Sequence, residues 1–209
     1  MSAIGPVAPR VGAGEFRALL LEPSPIYYPQ LVRNRAHVDG VTVVNVGAAP
    51  EPETGTLYQL NPERAAEFPD WAQGCASLSR EEIVGTLSRV KPVEYDMIVE
   101  SPVELKRLDD VLAAHEAFDA DVLIVDVEGF EPGVFASFDL RDFRPKLIFF
   151  ERVNLSADDL DGILELLRSG GYRVWGVGGD AIALLAEAFP ASLIAALGQL
   201  GLSEYVERD

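Results

Sequence analysis

The feature that most constrains this chain is a set of strand-length apolar runs, each ending in a carboxylate. FRALLL (16–21) runs into Glu22, VLIV (122–125) into Asp126 with Glu128 two residues on, and KLIFF (146–150) into Glu151. Further strand-like runs are VTVVNV (41–46), GTLYQL (55–60) and YRVWGV (172–177), and YDMIVESPVEL (95–105) reads as an extended segment interrupted at Pro102. Helical segments lie between them: 26–38, REEIVGTLSRV behind the capping pair Ser79 and Glu82, 106–118, a short helix near 131–138, and ADDLDGILELLRS behind Ser156. Beyond Val177 the sequence reads as an alanine- and leucine-rich helical tail divided by Pro190. Strands alternating with helices imply a doubly wound α/β fold with a mainly parallel sheet covered on both faces. Ligands in such folds bind outside the carboxyl ends of the strands, which is where these acids fall.

Composition narrows the partners. With 34 acidic and 17 basic residues the formal charge is -17, a field that repels nucleic acid and anionic membranes, and no basic patch opposes it. No apolar run approaches the roughly 20 residues that span a bilayer, and no charged-then-apolar leader follows Met1. The single Cys75 allows no internal disulfide, and His37 and His115 lack zinc-ligand spacing. A cytoplasmic protein is expected. The chain is expected to form one domain over 16–209, with an irregular segment at 1–15 and a covering insertion at about 61–94.

The acids differ in what the sequence offers them. A carboxylate such as Glu22 has lone pairs for both hydroxyls of a ribose diol. Asp126 and Glu128 stand beside Gly129, which lets a ligand approach the backbone. Glu131 precedes Pro132 at a helix start and is read as stabilising the helix dipole. Crowded carboxylates either raise one another's pKa toward neutrality or recruit a divalent cation, and the residues leave that choice open; no metal site is predicted. Gly12-Ala13-Gly14 lacks the preceding strand of a phosphate loop. No G-x-S-x-G elbow is present, and no His stands near Cys75.

Seven pieces in order resemble the FkbM family of S-adenosylmethionine-dependent methyltransferases: LLLEPSP (19–25), VVNVGAAPEPETGTLYQL (43–60), FPDWAQGCASLSRE (68–81), VELKRLDDVL (103–112), LIVDVEGFEPGVF (123–135), RPKLIFFE (144–151) and GGYRVW (170–175). The resemblance implies a class I methyltransferase (Rossmann-like) fold and methyl transfer to a hydroxyl, often on a sugar or secondary metabolite. By the same resemblance Glu22, with Pro23 beside it, matches the ribose-binding acid, and Asn45, Val46, Gly47 and Ala48 match the segment along the adenine. Asp126, Glu128 and Gly129 match the Asp-x-Glu-Gly signature beside donor and acceptor, and Glu151 matches the acid closing the fifth strand. Gly74 to Ser77 match a patch in the covering insertion. Relatives begin with a strand and a glycine-rich turn that wraps the methionine part of the cofactor. Residues 1–15 contain glycines without an apolar strand or a leading acid, so the first strand is expected to be absent or altered; a homodimer would supply cover for it. Some relatives carry histidines near Glu151, where this chain has Arg152-Val153-Asn154.

The expected activity is an S-adenosylmethionine-dependent O-methyltransferase acting on a small hydroxylated acceptor, with Asp126, Glu128 and Glu151 as candidate bases and Glu22, Pro23, Asn45 to Ala48 and Asp126 as donor-binding residues. The alternative is a non-catalytic binding or scaffold module that keeps the sheet without the chemistry.

Overall fold

In the computed structural model, which describes residues 16–35, 37–199 and 202–205, the chain divides into two compact units, Met1–Arg107 and Leu108–Asp209. Each is described by itself. The expectations for residues 1–15 lie outside the described residues.

In the first unit, β1 (Ala18–Leu21) and β2 (Val41–Val44) pair in parallel, with α1 (Tyr28–Arg35) between them in the chain. A four-stranded sheet has the order β3-β6-β4-β5, from β3 (Gly47–Ala48), β4 (Glu53–Leu60), β5 (Ala76–Ser77) and β6 (Ile98–Lys106). The insertion between β4 and β6 holds three 3-10 turns, β5 and α2 (Arg80–Ser88). Ser79 Oγ caps α2 by accepting the Glu82 N–H at 3.3 Å, while the Glu82 carboxylate accepts from Ser77 Oγ at 2.7 Å. Leu60, Ile83, Leu87 and Met97 form its dry centre. Arg64 ties the first 3-10 turn to Glu94 and Asp96 ahead of β6.

Pro102 does not interrupt the extended segment: β6 runs through it. The Lys106 carbonyl accepts the Ala49 N–H beside β3, and the Met97 carbonyl accepts the Asn61 N–H beyond β4. Backbone groups alternate sides along a strand, so even-numbered residues of β6 face β3, which reaches only Leu105 and Lys106. The proline nitrogen therefore faces a side where no ladder bond is required.

In the second unit, α3 (Leu108–Ala114) precedes β7 (Val122–Val125); α4 (Glu131–Phe135), β8 (Leu147–Glu151), α5 (Ala157–Ser169), β9 (Tyr172–Val177), β10 (Asp180–Leu185), α6 (Ala191–Gln199) and β11 (Ser203–Glu204) follow. The sheet order is β11-β9-β10-β8-β7, with only β7 and β8 parallel. Phe135 meets Phe150 edge-on, 5.4 Å between ring centres, and Phe138 meets Phe143 at 5.6 Å. Of the apolar face that the spacing predicts for α5, Leu160, Ile163, Leu164 and Leu167, the last three are buried and Leu160 is half-buried. Trp175, Leu184 and Ile194 form a second buried cluster. Gly171 stops α5 at a φ of 87°, a conformation that favours glycine.

Two expectations are corrected. DAIALL (180–185) is a strand, not part of a helical tail, because the Gly178-Gly179 turn folds it back to pair with β9 on one side and β8 on the other. Among the described residues three strand pairings are parallel and five antiparallel, so the α/β architecture has mixed sheets instead of the expected mainly parallel one. No helix among the described residues is long and apolar enough to cross a membrane.

Candidate functional site

The first unit gathers the nucleoside-type candidates at the carboxyl ends of β1 and β2. The Glu22 N–H donates to the Val44 carbonyl at 3.0 Å, so Glu22 and Asn45 leave the paired strands side by side. Asn45 Nδ2 donates to the carbonyls of Glu22 and Pro23 at 2.8 and 3.1 Å, which fixes the chain where it turns away from the sheet. Gly47 lies against Pro23: a β-carbon there would sit 3.5 Å from Pro23 Cβ and 2.7 Å from Leu105 Cδ2. Val46 is 1% exposed, so it belongs to the core.

One Glu22 oxygen, Oε1, accepts the Ser24 N–H at 2.9 Å. Burial pushes the Glu22 carboxyl up, and the bond from Ser24 opposes that shift. Ser24 Oγ accepts the Ile26 and Tyr27 N–H groups and donates to Gln59 Oε1 at 2.9 Å, a fully buried polar link between the β1 turn and β4. Tyr27 donates its hydroxyl to the Gln73 carbonyl, joining this turn to the insertion. Its pKa is raised by burial and then by the Glu22 and Cys75 charges. Ser24, Tyr27 and Gln59 escape a reading by strand ends: serine in a Pro-Ser-Pro turn is ordinary, and Gln59 lies inside an apolar run.

The second unit gathers Asp126, Glu128 and Glu151. β7 and β8 are parallel with Val125 opposite Phe150, so the residues that follow emerge at one rim. Glu128 has a φ of 54° and Gly129 a φ of 102°, a left-handed pair that turns the chain sharply after β7. Asn154 Nδ2 lies 3.2 Å from Glu128 Oε2 and 3.2 Å from Glu151 Oε2, donating between two carboxylates. Burial first, and then the charges of Glu128, Asp126 and Glu131, push the Glu151 carboxyl up to about 7; the bond from Asn154 opposes them. Partial desolvation, then the charge of Asp180, push Asp126 up as well. Asp180 stands opposite Glu151 in the β8–β10 pairing. The Arg152 guanidinium is spent on the Gly178 and Asp180 carbonyls of the adjacent hairpin and leaves the acids to one another.

Glu131 corrects the sequence reading. It is not simply a helix-start acid: its side chain is 1% exposed and accepts the Val127 and Gly129 N–H groups at 3.0 and 3.1 Å. Asn154 is the other residue that the reading passed over; its only signal is its place three residues after Glu151. Among the described residues no group of three or more His, Cys, Asp or Glu is arranged to hold a metal ion. A groove of about 950 Å3 between α4 and α5, floored by Phe135 and Ile163, includes none of these carboxylates.

The geometry offers a diol-type acceptor carboxylate in one unit and, in the other, a carboxylate poised near neutrality beside two more. The sequence model of the family described as "Methyltransferase FkbM domain" matches residues 6–174. No curated protein and no solved structure matches the chain.

Proposed function

The chain belongs to the methyltransferase FkbM domain family, and from that premise we infer that it transfers a methyl group from S-adenosylmethionine to a hydroxyl of a small acceptor, on a class I methyltransferase-like fold. The observation that carries this reading is Glu151, held at about 7 among Asp126, Glu128 and Glu131. An alcohol is a poor nucleophile, and a base whose pKa lies near the working pH is the group that assists it best, typically by about a hundredfold or more.

The residues of the first unit fit the donor's nucleoside part. Glu22 would accept a hydroxyl pair through its carboxylate, and the backbone of Asn45 to Ala48 follows the end of β2. S-adenosylmethionine supplies an electrophilic methyl group when bound. In the second unit, Asp126 and Glu128 would orient the acceptor hydroxyl and Glu151 would accept its proton. Holding the reacting atoms in line accounts for most of the rate. Cys75, the single cysteine of the chain, is buried, and a reducing, cytoplasmic setting is part of this reading.

Titration calorimetry with S-adenosylmethionine tests the reading: micromolar binding and methyl transfer to hydroxylated acceptors are expected. No donor binding by the folded protein would overturn it in favour of a binding or scaffold module. Glu22→Ala is expected to weaken donor affinity by roughly ten- to a hundredfold, from the loss of charged hydrogen bonds; unchanged affinity would refute the ribose role.

A further inference from the structure

The turn that carries Asp126 and Glu128 is held by a group that does not itself face outward. Glu131, 1% exposed, places one oxygen on the Val127 N–H at 3.0 Å and the other on the Gly129 N–H at 3.1 Å. These two amides flank Glu128, whose φ of 54° is uncommon for a residue with a side chain. A carboxylate that grips the amide on each side of such a residue fixes its backbone, and so fixes where its Cα–Cβ bond points. From there Glu128 reaches Asn154, which reaches Glu151.

We propose that Glu131 is a positioning residue for the carboxylate rim: it clamps the 127–129 backbone so that Glu128 is presented to Asn154 and, through it, to Glu151. This rests on the reading of Glu128 and Glu151 as the acceptor-side groups. A plain helix-start role is distinguishable from the clamp. Stabilising the α4 dipole needs only a negative charge, which aspartate also carries. The clamp needs two accepting oxygens at the end of a glutamate-length arm. Neutral glutamine keeps the length but has one acceptor, and its NH2 would face an N–H; aspartate keeps both acceptors but is one methylene too short for both amides.

The test is residue-resolved amide exchange by NMR on the full chain, with steady-state kinetics beside it. In the native protein the Val127 and Gly129 amides should be protected. In Glu131→Gln at least one should exchange tenfold faster or more, and Glu131→Asp should behave likewise, while the Phe150 and Val174 amides of the sheet stay as slow as before. The kcat of methyl transfer should fall at least tenfold in both variants, and the Glu151-dependent limb of the pH profile should shift. Unchanged protection of both amides, or an Asp variant as active as the native chain, would overturn the proposal. A chain that never turns over would overturn the methyltransfer reading alone, because the exchange result still decides the clamp. Should Glu131→Gln fail to fold, Glu128→Gly supplies the remaining arm. Glycine needs no clamp at that φ, so Glu128→Gly/Glu131→Gln should fold or recover at least half of the lost melting temperature. No recovery would count against the proposal.

Discussion

Asn154 Nδ2 donates to Glu151 Oε2 across 3.2 Å, and this bond opposes the upward shift of the Glu151 carboxyl. Removing the amide leaves burial and three neighbouring carboxylates to act unopposed. In Asn154→Ala the acid limb of the kcat/KM profile, expected near pH 7 in the native protein, should move to higher pH. Activity at pH 7 should fall several-fold and recover in alkaline buffer. A pH series of initial rates checks both; an unmoved limb would mean that Glu151 is not the titrating base.

The same carboxyl makes stability depend on pH. Its folded pKa, about 7, lies above its ordinary value of 4.5, so the folded chain binds the proton more tightly than the unfolded one. Stability from this group is full below about pH 4.5 and is lost as pH rises through about 7. Glu151→Gln, which never ionises, should match the native melting temperature near pH 5 and exceed it at pH 8. After discounting for the partial exposure of Glu151, roughly 1 kcal/mol or about 2–4 °C is expected. Melting curves at the two pH values measure it; an equal difference at both would exclude the linkage.

Asn45→Ala should release the Glu22 and Pro23 carbonyls. The site is open to water, so the released carbonyls are rehydrated and the stability loss should stay at about 0.5–1.5 kcal/mol. Donor affinity should drop more noticeably, by roughly tenfold, because Glu22 loses its fixed direction. Calorimetry and melting on one variant separate the two effects.

Gly47→Ala addresses the same corner from inside. The new methyl would stand 2.7 Å from Leu105 Cδ2, on a side chain that is itself 3% exposed. Leu105 has little room to yield, so overpacking should cost about 1–3 kcal/mol and displace the 45–48 backbone. Denaturant unfolding gives the first, and reduced donor affinity the second.

How far the sequence is legible depends on how local each cause is. Asp126 and Glu151 can be found because apolar runs end at them and parallel neighbours end at one rim. Ser156 can be found because capping is settled within one turn, its Oγ accepting the Asp159 N–H at 3.1 Å. DAIALL cannot, because alanine and leucine favour a helix and only its pairing with Glu151–Leu147 on one side and Val177–Tyr172 on the other makes it a strand. Glu131 is misread for a related reason: Pro132 marks a helix start correctly, but the spacing does not show a side chain folding back on its own loop. The mixed sheets follow from hairpins whose partners are chosen in three dimensions.

Pro102 shapes what the first unit does in a crowded solution. A strand side with free amide donors is a template on which a segment of another molecule can add, the first step of edge-to-edge aggregation. Among the described residues, the strand paired to β6 on that side is β3, which covers two of its residues. At the middle of that side stands a residue with no N–H to offer, flanked by exposed Glu100 and Glu104. An incoming strand would lose a ladder bond there. The proline that looks like an interruption in the sequence thus acts as a guard against polymerisation.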